Sequence, residues 1–223
     1  MCAYPVIEAK RRDGTDSFHT HGATVEFNLM DFWAWSTSDL VSNATRGILA
    51  EYLVAQALGV ANGNVREEWA AFDLTCHDGT RVEVKSAAYV QSWQQERLSR
   101  ISFNVRKTRA WSKDTNLLED VPQRQADVYV FALLAHKDQH TIDPLDLSQW
   151  AFYVLPTAEL DRRTRSQHSI TLASLQVLAR NSVPWINLRE AIEMAGKRQR
   201  EMTQGDSHPD PNHHRNTPPK PQT

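Results

Sequence analysis

The sequence predicts an α/β sandwich built on a central mixed β-sheet. Three observations carry that expectation: a helical apolar pattern over residues 38–58, a hairpin pattern over residues 72–85, and a nearly continuous apolar run over residues 127–134 that suits a strand buried on both faces. With 223 residues, 40% of them hydrophobic, the chain can bury one substantial core, so one domain with a tail is the simplest organisation.

Residues 1–37 read as an N-terminal lead-in, polar over residues 1–22 with room for one short strand. Phe27, Leu29, Phe32, Trp33 and Trp35 are enough to pack this segment on the core, and Trp33 and Trp35 are read as core or staple residues ahead of base-stacking ones. From Ser38 to Leu58, Val41, Ile48, Leu49, Tyr52, Leu53 and Leu58 recur at helical spacing, with Ser36-x-x-Asp39 as a capping box and Gly59 at the exit. Glu51 sits in the middle of this helix. Its neighbours one turn away are Gly47 and Ala55, so its carboxylate rises from a face of small residues; pairing with Arg46, or plain solvation, is the alternative.

The hairpin turns on His77-Asp78-Gly79, which suits a three-residue loop closed by Gly79 in the left-handed conformation. Cys76 then pairs with Thr80, and Asp73 lies opposite Glu83. Ala71, Asp73, Thr75, Arg81, Glu83 and Lys85 share one face, while Phe72, Leu74, Cys76, Val82 and Val84 form an apolar face. A two-residue Asp78-Gly79 loop would set Asp73 against Val84 and is rejected, because a one-residue slip would bury Glu83 and Lys85. Any solvated hairpin shows a polar face. Two carboxylates and an ammonium on one face are also the minimum kit for metal-assisted phosphodiester cleavage.

Downstream, residues 101–105 alternate as a third strand, residues 150–155 form another, residues 157–163 a short helix and residues 188–201 a closing amphipathic helix. The expected domain spans residues 38–201. Residues 202–223 change abruptly to Gly, Asp, Ser, His, Asn and Pro, a composition that cannot build a core and is expected to be a disordered tail.

Taken together, Arg46-Gly47-x-x-Ala50-Glu51, Asp73 and Glu83-Val84-Lys85 resemble the PD-(D/E)XK nuclease superfamily, over about residues 38–135. The departure is Phe72, which stands where that family's nominal proline would be; Gln91, Gln94 and Gln95 are available for the glutamine that follows the lysine in some branches. The resemblance implies a restriction-endonuclease-like α/β/α sandwich, with Glu51, Asp73, Glu83 and Lys85 as catalytic residues. For a hard cation such as Mg²⁺, with Mn²⁺ able to substitute, Asp73, Glu83 and the Val84 carbonyl are the expected ligands, supported by Glu51. Lys85 would position the attacking water and stabilise transition-state charge.

Between residues 97 and 113 there are six basic residues, Arg97, Arg100, Arg106, Lys107, Arg109 and Lys113, no acidic ones, and Trp111. They are the candidate phosphate-backbone contacts, with a solvated basic face as the alternative. The net charge of −2 argues against wholesale electrostatic binding, so any nucleic-acid binding must come from local asymmetry. Two cysteines, Cys2 and Cys76, make neither a disulfide framework nor a zinc motif, and no segment has the apolar run of a signal or a membrane span. The expected protein is cytoplasmic, binds DNA and no membrane, and suits a homodimer, since two strands call for two sites. Its expected activity is that of a Mg²⁺-dependent DNA endonuclease. The rivals are a catalytically silent nucleic-acid-binding or scaffold protein of the same fold, and a nuclease acting on RNA.

Overall fold

The computed structural model describes residues 4, 6–112 and 115–205. Along the chain, β1 (Ser17–Thr20), β2 (Ala23–Asn28) and α1 (Leu29–Thr37) precede α2 (Asn43–Leu58), β3 (Leu74–Thr75) and β4 (Arg81–Ala88). Then come β5 (Ser102–Asn104), β6 (Trp111–Ser112), β7 (Leu117–Leu118), β8 (Val128–Leu134) and β9 (Trp150–Pro156). The series closes with α3 (Thr157–Asp161), β10 (Ser169–Thr171), α4 (Leu172–Ala179) and α5 (Leu188–Gly205).

The central sheet is mixed, in the order β3-β4-β8-β9, with β4 and β8 parallel and the other pairs antiparallel. All seven residues of β8 are buried, as its apolar run requires of a strand covered on both faces. One face carries α2 and α5: Leu53, Val54 and Leu58 meet Leu188 and Ile192 over Val82, Val84, Val130 and Phe152. The other face packs Phe131, Leu133 and Leu155 against Phe103, Ile170 and Leu175. The fold is therefore the mixed α/β architecture that the periodicities predict.

Several boundaries differ from expectation. The long helix begins at Asn43, where the Ser42 hydroxyl accepts from the Thr45 N–H; Asp39 instead accepts from the Val41 and Ser42 amides in a turn. It ends at Gly59 with φ +75°, whose N–H returns to the Ala55 and Gln56 carbonyls. Residues 101–105 do alternate, with Ile101, Phe103 and Val105 buried, yet β5 pairs with β10 outside the central sheet. The N-terminal aromatics form a hairpin and helix of their own. Phe18 and Phe27 lie 5.0 Å apart, α1 has no buried residue, and Trp35 is 85% exposed, so this segment does not pack into the core as expected. At the other end α5 runs on to Gly205, four residues past the expected boundary, and residues 206–223 of the expected tail lie outside the described residues. Among the described residues no helix is long and apolar enough to cross a membrane.

The hairpin register is the predicted one. Leu74 faces Val82, Thr75 faces Arg81, and the Cys76 N–H donates to the Thr80 carbonyl at 2.8 Å. Gly79 has φ +83° with nothing within 4 Å of where a Cβ would stand, so Gly79→Ala meets no steric neighbour and bears only the left-handed backbone penalty. We expect it to cost about 1–2 kcal/mol, and Gly79→Asn less, read as shifts in the urea midpoint at constant m-value. Helix α5 holds this turn in place: Gly196 lies against Thr80, whose Oγ1 a Cβ would meet at 2.9 Å, and Arg200 donates to the Thr80 hydroxyl at 3.0 Å.

Candidate active site

Strand β3 is only two residues long, and this brevity makes the site. The Asp73 N–H donates to the Val82 carbonyl at 3.1 Å, but beyond that point no strand among the described residues pairs with the β3 side of β4. The Val84 N–H, which a longer partner strand would have taken, donates instead to Asp73 Oδ2 at 2.7 Å. A residue's N–H and C=O point to the same side of a strand, so the Val84 carbonyl lies along this same open edge.

Asp73 therefore meets Glu83 where the register expects it. Burial first, and then the neighbouring Glu83 charge, raise the Asp73 pKa to about 7, with a smaller push from Glu51; the Val84 hydrogen bond and Lys85 oppose the rise. Lys85 Nζ donates to Glu83 Oε1 in a short contact. The two are separated by one residue, and so project from the same face of β4. Asp73 and Glu83 line a cleft of about 280 Å³ whose walls are Glu68, Trp69, Thr108, Arg109 and Trp111. Trp69 and Trp111 meet edge to face with ring centres 6.0 Å apart.

Glu51 is not a partner of Arg46. Arg66, from the loop after α2, grips both of its oxygens, Nε to Oε2 in a short contact and Nη2 to Oε1 at 3.0 Å. Its charge still reaches Asp73. Phe72 departs from the expected apolar face: residues 70–73 are bends rather than strand, so alternation fails just before Asp73, and the ring packs on the opposite core with the Arg81 guanidinium 5.9 Å above it. Cys76 is half-buried against the α2–α5 core, and burial pushes its thiol up to about 11, out of the reactive range.

The basic stretch is divided rather than laid out as one stripe. Arg109 lines the carboxylate cleft, Arg100 lines a separate polar pocket, and Lys107 pairs with Asp161 at 3.2 Å. Arg97 and Arg106 are exposed, and Lys113 lies outside the described residues. Gln91 is buried and accepts from Arg46, Gln95 accepts from the Gln91 N–H, and Gln94 is exposed, so none of the three glutamines joins Asp73 in the cleft.

The family model of bacteriophage T4 endonuclease IV matches residues 7–174, three quarters of the chain, and takes in Glu51, Asp73, Glu83 and Lys85. The chain belongs to the bacteriophage T4 endonuclease IV family. No curated protein and no solved structure shows significant similarity to it.

As a member of the T4 endonuclease IV family, the chain carries the nuclease assignment over the whole sheet and both faces of the hairpin; α5, which completes one core and braces the turn, lies beyond the match. The sequence reading missed Arg66, Glu68 and Trp69, because residues 59–71 have no periodicity. The run Glu67-Glu68-Trp69 was the available signal.

The raised Asp73 pKa makes a prediction for this endonuclease IV family member. Its folded pKa lies above the unfolded value of 3.8, so the folded state holds a proton that the unfolded chain has already lost. The resulting stability is full below about pH 4 and is lost as pH rises through about 7. Thermal unfolding in EDTA should show stability falling between about pH 4 and pH 7 and levelling off by pH 8, by at most about 1.4 kcal/mol per pH unit for one proton. Asp73→Asn should remove that component.

Proposed function

We propose that this endonuclease-family chain is a divalent-metal-dependent DNA endonuclease of the PD-(D/E)XK type. The observation that carries the reading is the meeting of Asp73 and Glu83, with Lys85 beside them, on the edge of β4 that the short β3 leaves open. Two crowded carboxylates, one with its ionisation suppressed by the other and by burial, are an environment that a cation relieves.

The donor set fits Mg²⁺. Among the described residues no three His, Cys, Asp or Glu side chains form a closed metal cage. Mg²⁺ characteristically takes one or two carboxylates, keeps several waters and leaves places for phosphate oxygens. Asp73, Glu83 and the Val84 carbonyl supply that number of oxygens and leave the cleft side open. An ion held there would neutralise charge on the scissile phosphate and lower the pKa of the attacking water.

The chain's own residues do the rest. The Val84 N–H fixes the Asp73 carboxylate, so its second oxygen is presented to the cleft without loss of side-chain entropy at the moment of binding. The Lys85 ammonium pairs with Glu83, which lines the cleft, and from there would stabilise negative charge as it develops on the phosphoryl oxygens. Arg66 holds Glu51 within electrostatic reach of Asp73, where it would orient water rather than bind phosphate. Arg109 on the wall offers a fork for a flanking phosphate.

The test is cleavage of supercoiled plasmid in Mg²⁺, Mn²⁺ or EDTA, with a matched RNA strand in competition. Metal-dependent nicking or linearisation of DNA that EDTA abolishes is the expected result. Retention of DNA without cleavage in any metal would favour the silent binding module, and preferential loss of the RNA strand would move the substrate to RNA.

A further inference from the structure

Among the described residues Arg46 is the largest fully buried side chain, and none of them gives it a counter-ion. Only 1% of it is exposed, and its guanidinium donates to the Val41 carbonyl at 2.7 Å, Asn43 Oδ1 at 2.8 Å, Ser86 Oγ at 3.2 Å and Gln91 Oε1 at 3.3 Å. All four acceptors are neutral, and among the described residues no carboxylate pairs with it. Burial alone lowers its pKa from the usual arginine range, with no acidic neighbour to hold it up. Taking a charge out of water costs several kcal/mol unless an opposite charge answers it, and neutral dipoles repay only part of that. Elsewhere in this chain buried arginine is treated differently: Arg124, also buried, is paired with Asp161.

Arg46 lines a pocket of about 200 Å³ that contains a second arginine, Arg100, the polar side chains of Asn43, Ser86, Ser99 and Ser102, and no acidic residue. Asn43 opens helix α2, so the positive end of a 16-residue helix faces the same space. Two guanidiniums, three hydroxyls and a helix N-terminus without a carboxylate form the chemistry of a phosphate site.

Its place in the fold says which phosphate. Ser86 follows Lys85 on β4 three positions on from Glu83, about 10 Å at 3.3 Å per residue, and alternation turns its side chain to the α2 face of the sheet, opposite that of Glu83 and Lys85. On α2, Arg46 and Glu51 are five residues apart, about 7.5 Å of rise. The pocket and the carboxylate cleft are therefore built on the same two elements, the pocket on the α2 face of β4 and the carboxylates on the other. We propose that the Arg46–Arg100 pocket binds a backbone phosphate of the nucleic-acid strand that is cleaved at Asp73 and Glu83, a few nucleotides from the scissile bond. The proposal rests on the nuclease reading of that cleft. It gives the buried guanidinium its counter-ion only when substrate is bound, and so couples strand position to the core of the fold.

The experiment has two arms, both in EDTA so that nothing is cut. In the first, binding of a labelled DNA strand is measured from 50 to 300 mM salt for wild type, Arg100→Gln and Ser86→Ala. Arg100 is exposed, so its loss leaves the core intact; Arg46→Lys, which keeps the charge but not the fork, is added if it folds. In the second, the melting temperature of each is compared in inorganic phosphate and in chloride at equal ionic strength. The expected result is a slope of log K against log salt reduced by about 0.7–0.9 in Arg100→Gln, the loss of one phosphate contact, weaker binding in Ser86→Ala, and phosphate stabilisation of wild type that Arg100→Gln loses. Normal binding with unchanged slope and affinity in both variants overturns the proposal and leaves the nuclease reading standing. Phosphate stabilisation with unchanged DNA slopes also overturns it, by making the pocket a site for free anions. Phosphate stabilisation in a wild type that neither binds nor cuts nucleic acid removes both the nuclease reading and the substrate phosphate.

Discussion

Asp73→Asn should abolish phosphodiester cleavage while leaving the protein folded and, in metal-free buffer at pH 8, more stable than wild type. The asparagine is the same size and its amide oxygen can still accept the Val84 N–H that Asp73 Oδ2 accepts now at 2.7 Å. What it removes is a charge placed beside Glu83 and away from water, whose ionisation is unfavourable enough to hold the pKa at about 7. A purely structural aspartate would show the opposite pattern, with stability lost and activity following it. Lys85→Ala should also silence cleavage, by a different route. It deletes the ammonium that pairs with Glu83 and that the proposed mechanism assigns to the developing phosphoryl charge, and loss of one such stabilising donor costs about 10²–10³-fold in rate. Single-turnover cleavage at saturating Mg²⁺, with far-UV circular dichroism and a melting curve for each variant, checks both. Full activity in the two variants together would sink the catalytic assignment of this cleft. A binding-site mutation with intact chemistry would instead weaken DNA affinity and spare the saturated rate.

Phe131→Ala should be the most costly core substitution. Phe131 is 0% exposed at the centre of β8, its ring meets Phe103 edge to face at 5.1 Å and stacks with Tyr129 at 6.1 Å. Phe103 belongs to the small β5–β10 ribbon, so this contact joins the ribbon to the central sheet. Truncation removes a large apolar surface and leaves a void that a strand flanked on both sides by hydrogen-bonded neighbours cannot collapse into. A loss of about 3–5 kcal/mol is expected, a fall of roughly 6–20 °C in melting temperature for a chain of this size. Equilibrium urea unfolding measures it. Because Phe131 is the cross-strand neighbour of Lys85, activity per folded molecule should fall too, as the floor under the ammonium loosens. A cost below about 1 kcal/mol would mean that the ribbon side contributes little to the core.

The hairpin shows why some of this was legible in the chain and some was not. Its register follows from two local facts, a glycine able to take φ +83° and an alternation that would bury Glu83 and Lys85 if it slipped by one; both act between residues close in sequence. The same is true of α2, whose apolar spacing and Gly59 exit are local, although the true start at Asn43 was set by the Ser42 cap rather than by the Ser36–Asp39 box, Ser36 lying within α1. Strand β8 announced itself through seven apolar residues in a row.

Pairings between distant segments were not legible. Alternation in residues 101–105 describes a strand with one buried face equally well in the central sheet or in a separate ribbon, and only the arrival of Ser169–Thr171 decides for the ribbon. The aromatic stretch after Phe27 has the composition of a packed segment, but composition does not specify a partner surface, and none of α1 is buried. Arg66 came to Glu51 from a loop without periodicity, and Asp161 took Lys107 out of the basic stretch from more than fifty residues away.

The sequence alone determined the α/β class, the face shared by Asp73, Glu83 and Lys85, and the turn that brings the two carboxylates opposite each other, because periodicity and turn conformation are short-range properties of the backbone. Tertiary structure alone decided which charges are answered. Glu51 received Arg66, Asp73 stayed crowded beside Glu83, and Arg46 was enclosed by four neutral acceptors, because desolvation and Coulomb energy depend on what the folded chain places within a few ångströms, whatever the separation along the sequence.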